Sequence, residues 1–227
     1  MTAAAMSDEL REFLARARGT AATARVLSLD ELRALRGAEE VAEPWGLPAL
    51  RGRLVELSGR GARATLTEAM GLILEAQLAS EPAAWIQSPS HGGFYPPDAA
   101  ESGVDLAALV VVRVPDPTGA ARAAERLLRS GAFGLVVIDL GLGGEQELSM
   151  AQQGRLVTLA QAHDAAVICL TEKTQDTGSL GSLISLRAEA LRARTKDGFE
   201  VTVRALKDKR RGPGWSRTIK VRGPAGM

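Results

Sequence analysis

The chain has 227 residues, 45% of them hydrophobic and 24% charged, and a formal net charge of +1. That composition is ordinary for a globular protein and large enough for one α/β domain with short extensions. The single cysteine excludes a disulfide framework within the chain, no apolar run is long enough to span a bilayer, and Met1 to Phe13 becomes charged too soon to be a signal peptide, so a cytoplasmic location is the default expectation.

Residues 7–18 (SDELREFLARAR) are predicted to form a short helix. Ser7 can cap it, Leu10, Phe13, Leu14 and Ala17 share one face, and Gly19 stops it. Residues 28–36 (SLDELRALR) repeat the pattern, with Ser28 as cap, Glu31 three residues on and Gly37 at the end. Residues 1–43 are therefore read as a helical extension and linker, with 44–227 as the core. Pro44 and Pro48 mark the linker that begins at Glu39.

The periodicity then changes. Strands are predicted at Arg53–Leu57, Ala83–Gln87, Ala108–Val114, Gly134–Leu140 and Ala165–Leu170, with helices near 65–79, 117–130 and 145–163. Val110, Val111 and Val112, like Val136, Val137 and Ile138, form continuous apolar blocks, which suits strands buried on both faces of a parallel sheet. Asp116 can cap the second helix, with Pro117 at its first position. Strands alternating with helices argue for βαβ units with helices on both sheet faces. After Thr171 a polar loop runs from Thr174 to Gly181. Leu183–Leu191 and Phe199–Leu206 then read as strands joined around Asp197–Gly198, a hairpin signal, and Thr218–Val221 as a further strand. The expected fold is a mainly parallel α/β sheet ending in antiparallel strands.

The strand GRLVEL runs into SGRGARATLTEAM and a helix, the context of a phosphate-binding loop. A working loop has the form G-x-x-x-x-G-K-[ST]: its N–H groups cradle phosphates, its lysine reaches the terminal phosphates and its hydroxyl holds Mg²⁺. Counted from Gly59, Ala64 falls at the second glycine and Thr65 at the lysine. Counted back from the helix, Arg63 falls at the lysine and Ala64 at the hydroxyl. Neither register supplies the required groups. Thr65 and Glu68 also spell a capping box, which would occupy N–H groups that a phosphate needs. The alternative is that Gly59–Ala64 is a tight strand–helix turn. Asp139 closes the run Leu135–Ile138, where such a loop enzyme carries its Mg²⁺ carboxylate. Without a hydroxyl at position 64, a loop-bonded aspartate is the simpler reading, and no metal or cofactor is expected.

These residues resemble RecA. GRLVEL resembles its phosphate-loop strand. Tyr95, Gly103–Asp105 and Arg129–Ala132 lead into the Asp139 strand in RecA-like order, AAVICLTEKT resembles the strand before the second DNA loop, and VRALKDKRRGPG resembles the late strand with its Lys207–Lys209 pair. The resemblance implies a catalytic glutamate after Gln87 and a phosphate-sensing glutamine after Leu170. Ser88, Pro89 and Ser90, and Thr171, Glu172 and Lys173, stand there instead. A RecA-like core with a degenerate loop and the tail Arg210–Gly214 is similar to ImuA, a family also related to SulA-type proteins. That resemblance implies a non-catalytic accessory factor of DNA-damage-induced mutagenesis. Its partners would be ImuB, an inactive Y-family polymerase relative, an error-prone replicative-type polymerase and RecA itself. In RecA an N-terminal helix and strand pack on the neighbouring protomer; here residues 7–18 could do the same or fold back on their own core, and the ImuA resemblance implies a third option, that ImuB supplies such an element to the same groove.

The stretch from Arg204 to Arg222 holds eight basic residues against one acid, Asp208, so the remainder of the chain is net acidic. Arg204, Lys207, Lys209, Arg210, Arg211 and Arg217 can neutralise phosphates of single-stranded DNA, with Trp215 as a stacking face. They can equally meet an acidic partner or form a solvated hairpin. His91, His163 and Cys169 are read as structural, since no nucleophile motif accompanies either histidine.

Overall fold

The computed structural model describes residues 43–87, 94–141 and 148–221. The predicted helices at 7–18 and 28–36 lie outside them, as do Ser88–Ser90 and His91. The described core is one eight-stranded sheet: β1 (Arg53–Ser58), β2 (Ala83–Gln87), β3 (Leu109–Arg113), β4 (Leu135–Asp139), β5 (Ala166–Thr171), β6 (Leu186–Thr195), β7 (Gly198–Asp208) and β8 (Ser216–Val221). The order is β3-β2-β4-β5-β1-β6-β7-β8. Every pairing from β3 across to β6 is parallel, and β6–β7 and β7–β8 are antiparallel. Five α-helices and a short 3₁₀ helix (Leu106–Ala108) accompany it among the described residues: α1 (Leu47–Leu50), α2 (Thr65–Leu78), α3 (Pro96–Glu101), α4 (Pro117–Arg129) and α5 (Met150–Ala162).

The sheet separates two apolar layers. On one side Val55, Leu57, Trp85, Val137 and Ile168 meet Leu72 and Ile73 of α2. On the other Leu54, Ile86, Val136, Ile138 and Val167 meet Leu128 of α4 and Leu156 of α5. Alternate strand residues feed opposite layers because side chains alternate across a pleated strand. Each fully buried aliphatic side chain contributes about 1.5–3 kcal/mol of transfer free energy, so these layers drive the sheet's closure between helices. α4 begins as its sequence specifies: Asp116 Oδ1 accepts from the Gly119 N–H at 2.6 Å, and Pro117 occupies the first turn.

Four expectations are corrected. The third strand is not buried on both faces: among the described residues β3 is a sheet edge paired only with β2, and Val110 and Val111 remain 41% and 38% exposed. The last long helix starts at Met150 rather than near 145, because Ser149 and Gln152 form a capping box there. The box expected at Thr65 and Glu68 does not form. Ala64 is the N-cap and Thr65 is already helical, so Glu68 N–H donates to the Ala64 carbonyl. The β6–β7 hairpin is longer than predicted, and Leu206 is an extra residue on β7, since Arg187 faces Lys207 while Ala188 faces Ala205.

Candidate functional site

In a parallel α/β sheet, ligands gather where strands end at their carboxyl edge. Here Ser58, Gln87, Asp139 and Thr171 end β1, β2, β4 and β5 on that edge. The segment after β1 does not arch freely above it. Gly59 N–H donates to the Thr171 carbonyl at 3.3 Å, Arg63 N–H to Gly61 at 2.8 Å and Ala64 N–H to Ala190 at 3.0 Å, while Arg192 N–H returns to the Ala62 carbonyl at 2.7 Å. Arg63 and Leu191 form an antiparallel bridge. The loop is thus laid along the part of β6 that outruns β1. A Cβ at Gly59 would stand 2.7 Å from the Ala190 carbonyl oxygen, so this close approach requires glycine.

The side chains at the loop are engaged as well. Arg63 lies 3.1 Å from the Glu172 carboxylate, just beyond β5. Asp139 accepts from Gly141 N–H at 3.0 Å through Oδ1, a local bond of the kind expected for a strand-end aspartate. Among the described residues no group of three or more His, Cys, Asp or Glu side chains is placed to hold a metal. Gln87, at the end of β2, accepts from both Trp85 Nε1 and Phe94 N–H at 3.2 Å.

Glu68 faces inward from α2. Its Oε2 accepts from Trp45 Nε1 at 2.7 Å and lies 3.3 Å from the Arg217 guanidinium of β8. Burial raises the Glu68 carboxyl above the usual glutamate range, against the opposing pull of Arg217 and the Trp45 indole. Two turns along, Glu75 accepts from Leu47 N–H at 2.7 Å. One face of α2 therefore holds the chain where it enters the core.

Sequence reading missed the most enclosed carboxylate, Glu56. It sits fully buried in the central strand β1. It accepts from Thr171 Oγ1 at 3.1 Å, Ser179 Oγ at 3.0 Å and Leu180 N–H at 2.8 Å, with Lys173 Nζ 3.2 Å away and Arg187 Nε at 3.9 Å. The available signal was a lone acid in the apolar strand GRLVEL, because a buried charge persists only when paired and hydrogen-bonded. Around it the segment 173–185 is pinned by side chains. Arg187 donates to the Thr174 and Thr177 carbonyls, Lys173 to Gly178 and Gln153 to Leu180.

The predicted basic set divides among separate internal tasks. Lys207 donates to the Gly181 carbonyl at 3.4 Å and Lys209 to Ser182 at 2.6 Å. Burial and then the neighbouring Lys209 charge lower the Lys207 amine below its usual value. Arg204 pairs with Glu189 at 2.6 Å and bonds Gln175, and Arg210 donates to the Arg51 carbonyl at 3.2 Å. Arg217 serves Glu68, Arg211 is exposed and also engaged, and Trp215 Nε1 donates to Asp208 at 3.0 Å. Arg204 and Lys207 reach the same polar segment from β7, whereas Arg217 points to the opposite sheet face.

No family model matches the chain, and no curated protein does. Among solved structures it is similar to the RadB recombinase, with a TM-score of 0.58 and 16% identity, over 76% of this chain and 88% of that one. No described helix is long and apolar enough to cross a membrane. The strand order and this likeness establish a RecA-like α/β fold, with the parallel part of the sheet flanked by helices and antiparallel strands at its C-terminal end.

Proposed function

We propose that this chain is a non-catalytic RecA-like accessory protein of DNA-damage-induced mutagenesis, of the ImuA kind, which holds partners rather than hydrolysing ATP. The observation that carries this reading is the stitching of Gly59–Ala64 to β5 and β6. Phosphate loops bind anions through unspent N–H groups, and here those of Gly59, Arg63 and Ala64 already donate to carbonyls. Arg63, in the lysine register, already faces Glu172. Translesion synthesis, the SOS response and DNA repair enter through the ImuA resemblance.

The partners that resemblance implies are an ImuB-like inactive Y-family polymerase, RecA and an error-prone replicative-type polymerase. The β3 edge is the surface this reading assigns to the first. Among the described residues its outer backbone groups have no neighbouring strand, and Val110 and Val111 are exposed on opposite faces, a template for an added strand.

The test is titration of the purified chain with ATP and Mg²⁺ beside a steady-state hydrolysis assay. No heat and no turnover are expected. Turnover that Asp139→Ala abolishes overturns the reading in favour of a divergent ATPase. In parallel, Val110→Glu with Val111→Glu is expected to lose capture of the ImuB-like partner, and undiminished capture removes β3 as the docking edge. A second reading, a module that binds single-stranded DNA or regulates RecA filaments, is favoured by a different set of cations from those of Arg204–Arg217.

A further inference from the structure

The cations of the antiparallel end fall into two groups. Those of Arg204–Arg217 are mostly spent on the chain's own carbonyls and carboxylates. Arg60, Arg192, Arg194 and Lys196 are exposed and enter no ion pair among the described residues.

The geometry that closes the loop after β1 sets Arg192 and Arg194 on one face, with Arg60 in that loop and Lys196 at the ribbon's turn. β6 pairs with β1 only as far as Glu189, then continues to Thr195 with β7 as its companion. That extension is about 20 Å of ribbon. Register places Arg192 beside Val201 and Arg194 beside Phe199, with Ile219 and Val221 next in line on β8. Both arginines therefore project from one face, about 7 Å apart, the two-residue repeat of a strand. The Arg192 guanidinium lies 5.4 Å from the centre of the Phe199 ring, which fixes its direction. Glu200 belongs to the opposite face, beside Ala193 and Lys220. Lys196 sits at the hairpin turn, and Arg60 in the loop whose Ala62 carbonyl accepts from Arg192.

We propose that this face of the β6–β7 ribbon binds the backbone of single-stranded nucleic acid, with Arg60, Arg192, Arg194 and Lys196 on phosphates and Phe199 offering its ring to a base. Three features favour a nucleic acid over an acidic protein. The two central cations are arginines, whose planar fork matches phosphate oxygens. They stand one two-residue strand repeat apart on the same face, a spacing that neighbouring phosphates of an extended strand can meet. An aromatic side chain lies within the row, as on sequence-tolerant single-strand platforms. The site stands apart from the ATP question, so it survives or fails independently of the adaptor reading.

The test uses the full chain and a labelled dT20 oligonucleotide, read by fluorescence anisotropy across salt. Four phosphate contacts give a logarithmic salt slope of about 2.8, so affinity is expected to fall about 50-fold between 50 and 200 mM salt. Arg192→Gln with Arg194→Gln is expected to weaken binding more than tenfold and reduce the slope by about 1.4. Lys209→Met with Arg210→Met is expected to change affinity less than threefold. Both positions of the first variant are exposed, and an unchanged urea midpoint shows that it folds. Arg194→Gln alone, which leaves the Arg192–Phe199 contact intact, is expected to lose about half of the slope change. No binding at 50 mM salt overturns the proposal. So does binding that ignores Arg192 and Arg194, or capture of poly-glutamate in preference to dT20, which would mark a protein-docking face.

Discussion

Arg53 and Asp208 meet at 2.6 Å in the interior, the first residue of β1 bonded to the last of β7. Both side chains are almost wholly enclosed. Asp208 also accepts from Arg210 N–H at 2.8 Å and Trp215 Nε1 at 3.0 Å, while Arg53 reaches Ser185. The pair closes the sheet across the β6 strand that lies between them.

Its removal is expected to be costly. Asp208→Asn leaves a buried guanidinium without its counter-charge, a loss of about 3–5 kcal/mol. Burial alone would raise the Asp208 carboxyl, but the Arg210 N–H, the Trp215 indole and Arg53 together hold it below the usual aspartate value. Its stabilisation is therefore present above the ordinary aspartate range and is lost as pH falls through its lowered value. Urea midpoints measured from neutral to acidic pH are expected to drop more for the wild type than for Asp208→Asn. Parallel curves would mean that the carboxylate contributes no pH-linked stability.

The loop after β1 makes a sharper geometrical statement. Gly59→Ala would place a methyl 2.7 Å from the Ala190 carbonyl oxygen and 3.0 Å from Arg63 Cβ, so backbone must shift, at about 1–3 kcal/mol. Gly61, two residues on, has φ +71° and open space around it, so Gly61→Ala is expected to cost about 1 kcal/mol from the backbone alone. Thermal unfolding of the two variants distinguishes them. An equal or reversed effect would mean that the Ala64–Ala190 stitching is not tight in solution.

The architecture was legible in the sequence because its signals were local. The apolar blocks 134–140 and 165–170, the Asp116–Pro117 helix start and the Asp197–Gly198 turn lie within about a residue of the observed elements. The edge position of β3 was not legible, because an apolar run reads the same in the centre and at the rim of a sheet. The capping box at Thr65 failed for a related reason. Glu68 is claimed by Trp45 and Arg217, 23 and 149 residues away, and no window of sequence contains that competition. The basic segment was visible as charge, but its partners are carbonyls of the 181–185 turn and Glu189, which only the hairpin brings near. Arg192 and Arg194 were not legible, because two arginines in LRARTK carry no signal until strand register puts them on one face.

Glu68 gives a pH dependence of the opposite sense from Asp208. Its carboxyl is raised in the folded state, chiefly by burial. An acid so raised favours folding below its unfolded value and loses that contribution as pH rises through the folded one. Glu68→Gln retains an acceptor for Trp45 and removes the burial cost of the charge. Its stability relative to wild type is expected to improve as pH rises from the acidic range to neutrality. The measurement is a set of urea midpoints at matched pH. A variant that instead worsens with rising pH would show that the Arg217 pairing outweighs burial.

Arg187 tests whether the segment 173–185 is held as a unit. Its guanidinium reaches the Thr174 and Thr177 carbonyls and approaches Glu56, so Arg187→Met keeps much of the buried stem and removes the donors. Hydrogen bonds to charged donors are worth about 1.5–3 kcal/mol each, and losing one unit of that size speeds local opening about 10- to 100-fold. Hydrogen exchange of amides in 173–182 is expected to accelerate by that factor, while β4 and β5 stay protected. Arg204→Gln serves as the control. Its guanidinium is about half exposed and faces Glu189 and Gln175 from the rim, where ion pairs contribute under about 1 kcal/mol, so a smaller change is expected. No acceleration in Arg187→Met would mean that the segment is already open, and that Glu56 is satisfied by Thr171 and Lys173 without the Arg187 clamp.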